Sequence, residues 1–328
     1  MKKILSLALV IILCLSSVAV LSSCTDTDGE KTLKVGVIQY LSHPSLDNCY
    51  AGVEKALTAA DMAIEIDRQI GSSSSADSDC LTFAKNMVAK NYDMIIAIAT
   101  PAAKAAYAAT DGTDIPVIFC AVSDPVEAEI VASLEAPGEA CTGTSDILDL
   151  EAQVDLIQAL QPDVKSIGII YTASEDNSVS NLARFKEICL ERSIEIVAKS
   201  VNSPTEIPAV AADVASAVDC INNFTDNNVV NSLQVVLSAA EQNGIPVYGS
   251  EISQVSRGCL AAVSIDYVAL GETTGEMAIE VLSGADAAKM AVRTISEATP
   301  VINTDVLAAL HIEMPEAFAS VETVTTEK

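Results

Sequence analysis

Polar side chains that could hold a small molecule follow several apolar runs of this sequence, at the point where each run ends. They are Tyr40, Thr100, Pro101, Ser123 and Asp124 in the first part of the chain and Thr172, Asn177, Thr225, Asp226, Asn227 and Glu251 in the second. Hydroxyl, amide and carboxylate groups can bind a polar ligand by hydrogen bonds. A proline at a helix start leaves the first backbone amides free for an anion such as a carboxylate. This set indicates the binding of a small polar ligand with an apolar part.

Several of these residues also have a purely structural interpretation. Thr225, Asp226 and Asn227 precede a helical pattern that begins near Val229, and these residue types are favoured as helix caps. His43 precedes Pro44, so we expect it in a surface loop. Capping and ligand contact remain open for the Thr-Asp-Asn run, because a cap can also touch a ligand.

Strand and helix patterns alternate along the chain. Strands are predicted at 33–40, 63–68, 94–99, 117–122, 166–171, 195–198, 220–222 and 246–248, and helices at 48–60, 76–90, 102–109, 178–192, 206–217, 229–243 and 271–282. Alternating elements of this kind are typical of parallel sheets covered by helices. We therefore predict an α/β fold.

The order of elements in the first half recurs about 130 residues later. Two such halves predict two similar α/β lobes that face each other. The ligand crevice of an open parallel sheet lies beyond the carboxyl ends of its strands. The polar residues named above come directly after strands, so we expect them to line a cleft between the lobes.

The chain begins like an exported lipoprotein. Lys2 and Lys3 precede an apolar run from Ile4 to Leu21, and Leu21-Ser22-Ser23-Cys24 resembles the lipobox of bacterial lipoproteins. This resemblance implies a signal peptide at residues 1–24, lipid attachment at Cys24 and a tether at 25–32. The alternative of a retained membrane span stays open, because about 18 apolar residues is near the lower limit for spanning.

Charge and cysteine content exclude some classes of partner and site. Loss of Lys2 and Lys3 with the leader changes the formal charge from −27 to −29, which argues against nucleic acid as a partner. Seven cysteines follow the leader, without the spacing of a metal finger, and we expect most of them to be buried free thiols. No cofactor or metal site is expected.

The stretches 96–103 and 116–125, Thr225-Asp226-Asn227 and Ile265-Asp266-Tyr267 resemble ABC transporter substrate-binding lipoproteins of the tryptophan and tyrosine uptake type. The resemblance extends from about Leu33 to Leu310. It implies the type I periplasmic-binding-protein fold, with two lobes joined by three crossovers. The implied division is 33–143 with 259–285 for the N-terminal lobe and 144–258 with 286–322 for the C-terminal lobe.

The resemblance also implies how the site is divided. Tyr40, Thr100, Pro101, Ser123 and Asp124 would lie on the first lobe, with Thr144 and Ser145 near the first crossover, and Thr172, Asn177, Thr225, Asp226, Asn227 and Glu251 on the second. For an amino acid ligand, helix amides and hydroxyls would hold the carboxylate, and Asp226 would pair with the ammonium group. Tyr40 or Phe224 could stack on an aromatic side chain.

The implied function is binding and delivery of a small molecule, most simply an amino acid, to an ABC permease with a cytoplasmic ATPase. The protein would be lipid-anchored outside the cell membrane. A ligand sensor for a signalling partner would use the same cleft. An enzyme on this scaffold is the weaker alternative, because the chain lacks the Gly-x-Ser-x-Gly and His-Glu-x-x-His motifs and contains two histidines, His43 and His311.

Overall fold

The computed structural model describes residues 31–295 and 298–327. The predicted signal peptide with Cys24, and residues 25–30 of the predicted tether, lie outside the described residues. Among the residues that are described, no helix is long and apolar enough to cross a membrane.

Thirteen strands and eleven α-helices make up the described part of the chain. The strands are β1 Leu33–Gln39, β2 Ile64–Ile70, β3 Met94–Ile98, β4 Val117–Cys120, β5 Cys141–Ser145, β6 Ser166–Thr172, β7 Glu195–Val201, β8 Cys220–Asn222, β9 Val247–Tyr248, β10 Ala261–Ser264, β11 Arg293–Thr294, β12 Thr299–Asn303 and β13 Glu322–Val324. The helices are α1 Pro44–Ala59, α2 Ala76–Ala89, α3 Thr100–Thr110, α4 Leu150–Leu160, α5 Asp176–Glu191, α6 Ile207–Ala215, α7 Asn227–Asn231, α8 Leu233–Asn243, α9 Ile252–Ser256, α10 Tyr267–Leu282 and α11 Thr304–Ala309.

The first lobe is built on a six-stranded parallel sheet of order β11-β5-β4-β3-β1-β2. Its central strand β3 is the apolar run Met94–Ile98, in which every residue is buried, as expected for a parallel strand covered on both faces. Helix α2 packs against α3, and α1 packs against α10. The α/β fold predicted from the sequence is confirmed.

Helices α1 and α10 approach each other with their backbones in contact. A Cβ atom added to Gly52 would lie 2.1 Å from the carbonyl oxygen of Val268, and one added to Gly271 would lie 2.1 Å from that of Cys49. Only glycine fits at either position. The two helices therefore form one rigid block, and their first turns start at the same side of the first sheet.

The second lobe contains the parallel sheet β7-β6-β8-β9 and the three strands β10-β12-β13. These two groups are neighbours, because Leu260 donates to the carbonyl of Val247 and Gly249 donates to that of Ala261. Phe185 and Phe224 pack edge to face in the core of this lobe, with ring centroids 5.4 Å apart.

The chain passes between the lobes three times, as the resemblance implied. The crossings lie between β5 and α4, between β10 and α10, and between β11 and β12. The boundaries expected at residues 144, 259 and 286 fall before these crossings. Strand β5 continues to Ser145, β10 pairs with β12 of the second lobe, and β11 pairs with β5 of the first. Strands β5 and β11 carry polar side chains and lack the apolar pattern that would have marked them.

One predicted helix is divided in two. The stretch 229–243 forms α7 and α8, which meet at Ser232, and α7 begins two residues earlier than expected. All seven cysteines of residues 31–295 and 298–327 are free and buried, which confirms that expectation.

Candidate functional site

A narrow cavity lies between the lobes, at the carboxyl ends of the strands of the first sheet. The enclosed space is about 20 Å³, about the room that one water molecule needs, so a larger ligand enters only when the lobes move apart. The cavity is lined by His43, Ser45, Leu46, Ala99, Thr100, Ala121, Ser123 and Tyr267 of the first lobe, Asp146 of the first crossing and Asn177, Thr225, Asn227, Val230 and Gln254 of the second lobe.

The start of α3 provides backbone donors on the first-lobe wall. The first bond of this helix runs from the N–H of Ala103 to the carbonyl of Ala99, so the N–H groups of Thr100 and Ala102 precede it. The Oγ1 atom of Thr100 lines the cavity, is buried and has no hydrogen-bond partner within the described residues. A helix start with a free hydroxyl and free amides suits a carboxylate.

The backbone is strained at two residues of the same wall. Ala99 has a φ of 83° and Ala121 has a φ of 57°, values that favour glycine. Both residues directly follow strands, β3 and β4, and both line the cavity. Strain of this kind costs about 1 to 3 kcal/mol and is typical of functional sites.

Asp146 is a buried carboxylate that faces the cavity. Its Oδ1 accepts a hydrogen bond of 2.9 Å from the hydroxyl of Ser123, and its Oδ2 accepts one of 2.8 Å from Tyr267. Burial raises the pKa of this carboxyl group. A cationic group of a ligand would compensate the negative charge that Asp146 carries in its ionised form.

A second buried carboxylate, Glu175, stands behind the second-lobe wall. Its Oε2 accepts from the backbone N–H of Asn227 at 2.9 Å, from the side-chain amide of Asn227 at 2.7 Å and from that of Asn177 at 3.2 Å. Its Oε1 accepts from the N–H and the amide of Asn228, at 3.3 and 3.2 Å. Burial, together with the Asp226 carboxylate, raises the pKa of Glu175 to about 8.

The sequence predicted a surface loop for His43, but this residue is buried between the lobes. Only 6% of the residue is exposed, and its Nε2 lies 3.3 Å from the Oδ1 of Asn227. Burial lowers the pKa of His43 to about 4, so the ring is neutral at pH 7. A histidine before a proline looks like a loop residue in the sequence, and the opposite lobe is what buries it.

Asp226 does not line the cavity. It is fully buried and accepts from the N–H and hydroxyl of Thr172, the hydroxyl of Ser178 and the N–H of Val229. The bond from Val229 caps α7. The geometry therefore supports a structural role for Asp226 as a helix cap. Its oxygen atoms already accept hydrogen bonds from protein donors.

The two aromatic residues considered for stacking also lie away from the cavity. Phe224 belongs to the core of the second lobe. Tyr40 and Thr172 line a neighbouring and wider cleft, together with the serine run 73–75 and the turn 202–205.

The other expected residues divide into two groups. Thr100, Ser123, Asn177, Thr225 and Asn227 line the cavity together. Those that do not are Pro101 at the start of α3, Asp124 at the cleft rim, Thr144 bonded to Thr274, Ser145 bonded to the carbonyl of Ser123, and Glu251, which caps α9.

Hydrogen bonds between the lobes hold the cleft closed. The hydroxyl of Ser180 donates to Asp124 across the cleft at 2.7 Å, and Lys104 pairs with Asp176. The hydroxyls of Ser123 and Thr225 approach to 3.5 Å beside the cavity. These bonds join residues of different lobes, so they exist in the closed arrangement.

Nine of the fourteen lining residues were not expected from the sequence, and His43, Asp146, Gln254 and Tyr267 are among them. Asp146 directly follows β5, the polar strand that the pattern did not reveal. Tyr267 begins α10 and was visible only as part of the Ile265-Asp266-Tyr267 run. Within the described residues, no group of three or more His, Cys, Asp or Glu side chains could hold a metal ion.

Comparison with protein families finds one that covers nearly the whole described chain. The family model described as ABC transporter substrate binding protein matches residues 34–325. A tyrosine-binding protein of Clostridioides difficile (strain R20291) is 37% identical over 331 residues, which cover 95% of this chain and 93% of that protein.

Two solved structures of similar identity differ in how well they superpose. An ABC domain from Streptococcus pneumonia in complex with L-Trp is 36% identical, covers 90% of this chain and has a TM-score of 0.86. The ligand-free, open structure of CD0873, a substrate-binding protein with adhesive properties from Clostridium difficile, is 34% identical at the same coverage and has a TM-score of 0.67. This chain covers 100% of each. The better match to the ligand-bound structure agrees with the closed cleft described above.

Proposed function

The chain belongs to the family of ABC transporter substrate-binding proteins, and we propose that it captures an aromatic amino acid between its lobes. Its family and its relatives are solute-binding proteins, and such proteins work outside the cytoplasm. The lobes close over the amino acid, and the closed form delivers it to a membrane permease that a cytoplasmic ATPase drives.

The observation that carries this proposal is the presence of two complementary groups in one cavity. The start of α3, with Thr100, offers donors to an α-carboxylate, and Asp146 offers a negative charge to an α-ammonium group. A free amino acid carries both groups on one carbon atom. Asp146 thus takes the role that the sequence had given to Asp226.

The rest of the lining suits an uncharged side chain. Leu46, Val230 and Ala121 give it apolar surface, while Asn177 and Asn227 give it polar atoms at the second-lobe wall. The relatives support an aromatic ligand, because one is named a tyrosine-binding protein and another was solved with L-Trp.

Membrane attachment is the second part of the proposal. The lipobox-like Leu21-Ser22-Ser23-Cys24 supports cleavage before Cys24 and lipid attachment to its thiol. Replacement of Cys24 by alanine is expected to move the protein from the membrane fraction to the soluble fraction. Unchanged membrane attachment of that variant would contradict the lipid anchor.

Lobe closure is the third part. We take residues 33–145 with 267–294 as one moving body and 150–264 with 299–324 as the other, since the three crossings lie between them. Small-angle scattering without and with ligand should show a decrease in the radius of gyration on binding. No decrease at saturation would contradict closure.

Isothermal titration calorimetry with the twenty proteinogenic amino acids tests the ligand. Binding is expected for tyrosine, tryptophan or both, and the Asp146→Asn variant is expected to bind at least about ten-fold more weakly, since a hydrogen bond to a charged group is worth about 1.5 to 3 kcal/mol. Asp163→Asn, at an exposed carboxylate outside the cavity, is the matched control. Absence of binding to every amino acid would overturn the proposal.

A further inference from the structure

The geometry points to Glu175 as a positioning residue for the cavity wall. It orients neighbouring side chains so that they present hydrogen-bond acceptors to the cavity, and these acceptors favour ligands that have a donor on the side chain. This inference rests on the proposed amino acid ligand. Glu175 itself does not line the cavity. It acts through Asn177, Asn227 and His43, which do.

The first step is the orientation of two side-chain amides. Glu175 is completely buried among five N–H donors. Three of them surround its Oε2 atom, and one of these three is the backbone N–H of Asn227, which cannot flip, so Oε2 is an acceptor even when the carboxyl group carries a proton on Oε1. A flipped Asn177 or Asn227 would bring an amide oxygen against the Oε2 atom of Glu175. The carboxylate therefore holds both amides with their nitrogen atoms toward itself.

The second step is the tautomer of His43. The Nδ2 of Asn227 faces Glu175, so its Oδ1 is the atom that faces Nε2 of His43 at 3.3 Å. An amide oxygen requires a donor, and Nε2 must carry the proton of the neutral ring. The Nδ1 atom is then an acceptor, and it is buried without a partner among the described residues.

The third step concerns Asn177. Its Nδ2 donates to Glu175 at 3.2 Å and to the carbonyl of Thr225 at 3.1 Å, which uses both hydrogens. Its Oδ1 is buried and, in the part of the chain that the structure describes, has no donor. His43 and Asn177, which both line the cavity, thus carry two acceptors that no protein group among the described residues satisfies and that a ligand can.

These two acceptors define the ligand chemistry. The start of α3 and Asp146 are the partners of the α-carboxylate and of the α-ammonium group, so the side chain is the part of the ligand that faces Asn177 on the second-lobe wall. A donor on that side chain satisfies the Oδ1 atom of Asn177. A phenol O–H or an indole N–H supplies one, whereas a benzyl side chain does not. A site that hydrogen-bonds a ligand group rejects the analogue that lacks it, because its own buried polar atom stays unpaired.

The first test is spectroscopic and uses the protein saturated with L-tyrosine, because the contact of His43 with Asn227 exists only in the closed form. The chain has two histidines, so ¹⁵N-histidine labelling gives two imidazole spectra, and a His311→Gln variant identifies that of His43. The Nε2–H tautomer is expected for His43 in the closed protein. In Glu175→Gln the tautomer signal should change or divide, because a glutamine amide no longer fixes Asn227. Glu187→Gln, at an exposed position of helix α5, which begins directly after Glu175, is the matched control.

The second test compares dissociation constants for L-tyrosine, L-tryptophan and L-phenylalanine. Phenylalanine is expected to bind at least about ten-fold more weakly than the better of the other two, since one buried unpaired acceptor costs about 1 to 3 kcal/mol. The ratio should fall toward one in Glu175→Gln and stay unchanged in Glu187→Gln. If circular dichroism shows that Glu175→Gln does not fold, Asn177→Leu replaces it, because this variant removes one acceptor and must lower the same ratio.

The outcomes separate this inference from the proposed function. If amino acids bind but the ratio is the same in the Glu175→Gln or Asn177→Leu variant as in the wild type, the role of Glu175 is overturned and the function stands. If no amino acid binds, the proposed function fails, and this inference, which rests on it, is overturned with it.

Discussion

The Nε2 atom of His43 lies 3.3 Å from the Oδ1 atom of Asn227, on the opposite wall of the cleft. This contact joins the two lobes and exists only while they are closed. It buries a histidine that an open cleft would leave in water. Closure is therefore sensitive to the charge of this ring.

We predict that His43 makes the closed form less stable in acid. Burial lowers the pKa of His43 to about 4 from the ordinary 6.5, so the folded protein binds fewer protons between these values than the unfolded chain. The contribution of the neutral ring is fully present above about pH 6.5 and is lost as the pH falls toward 4. At pH 5 the loss is about 2 kcal/mol.

Urea denaturation at pH 7 and pH 5, with L-tyrosine at saturation to keep the cleft closed, measures this effect. The stability that the wild type loses between these two pH values should be smaller in His43→Gln. His311→Gln, at an exposed histidine, is the control and should behave like the wild type. Equal losses in all three proteins would contradict the prediction.

Glu175 is predicted to have the opposite pH dependence. The pKa of this carboxyl group is raised to about 8, mainly by burial and also by Asp226, so the folded protein binds the additional proton. Its contribution is fully present below the unfolded pKa of about 4.5 and is lost as the pH rises through 8. The melting temperature should therefore fall between pH 6 and pH 8.

Differential scanning calorimetry of variants separates Glu175 from the general negative charge of the protein. The fall in melting temperature should be smaller in Glu175→Gln and unchanged in Glu187→Gln. Parallel curves for Glu175→Gln and the wild type would show that this carboxylate does not titrate in that range.

The strained alanine at the cavity wall gives a third prediction. Ala99 has a φ of 83°, which glycine adopts without strain. Ala99→Gly should raise the free energy of unfolding by about 1 kcal/mol, since relief of about 1 to 3 kcal/mol of strain exceeds the entropy cost of glycine. Ala105→Gly, inside α3, should instead lower it by about 1 kcal/mol. A loss of stability in both variants, measured by urea denaturation, would contradict strain at Ala99.

The contact between α1 and α10 gives a fourth prediction. A Cβ atom at position 52 would lie 2.1 Å from the carbonyl oxygen of Val268, and a backbone atom cannot move aside as a flexible side chain can. Gly52→Ala should lower the free energy of unfolding by at least about 2 kcal/mol. Ala51→Ser, at the exposed neighbouring position, should change it by less than about 0.5 kcal/mol. Chemical denaturation of both variants measures these changes. An unchanged free energy of unfolding in Gly52→Ala would show that the two helices can move apart.

The sequence predicted the parts of the fold that rest on apolar periodicity. Strands such as Met94–Ile98 are continuous apolar runs, and their order revealed the α/β architecture. Strand Cys141–Ser145 was missed, because its Thr and Ser side chains are buried by hydrogen bonds to Thr274 and Ser123 that no local pattern encodes. The boundaries expected at residues 144 and 286 precede the crossings next to β5 and β11 for the same reason.

The sequence predicted only those site residues that follow a predicted strand. Thr100, Ser123 and Asn177 follow strands and line the cavity. Asp226 accepts four hydrogen bonds, from Thr172, Ser178 and Val229, and lies away from the cavity. Asp146 accepts only two, from Ser123 and Tyr267, and lines it. That difference arises from contacts between distant segments, so residue type and spacing could not decide it.

The closed cleft has three buried polar atoms that lack partners within residues 31–295 and 298–327: Nδ1 of His43, Oγ1 of Thr100 and Oδ1 of Asn177. Closing over an empty space costs about 1 to 3 kcal/mol for each such atom, whereas an open cleft lets water reach them. The empty protein should thus be open most of the time. A permease that recognises the closed form would then meet loaded receptors almost exclusively, and each round of ATP hydrolysis would stay coupled to cargo.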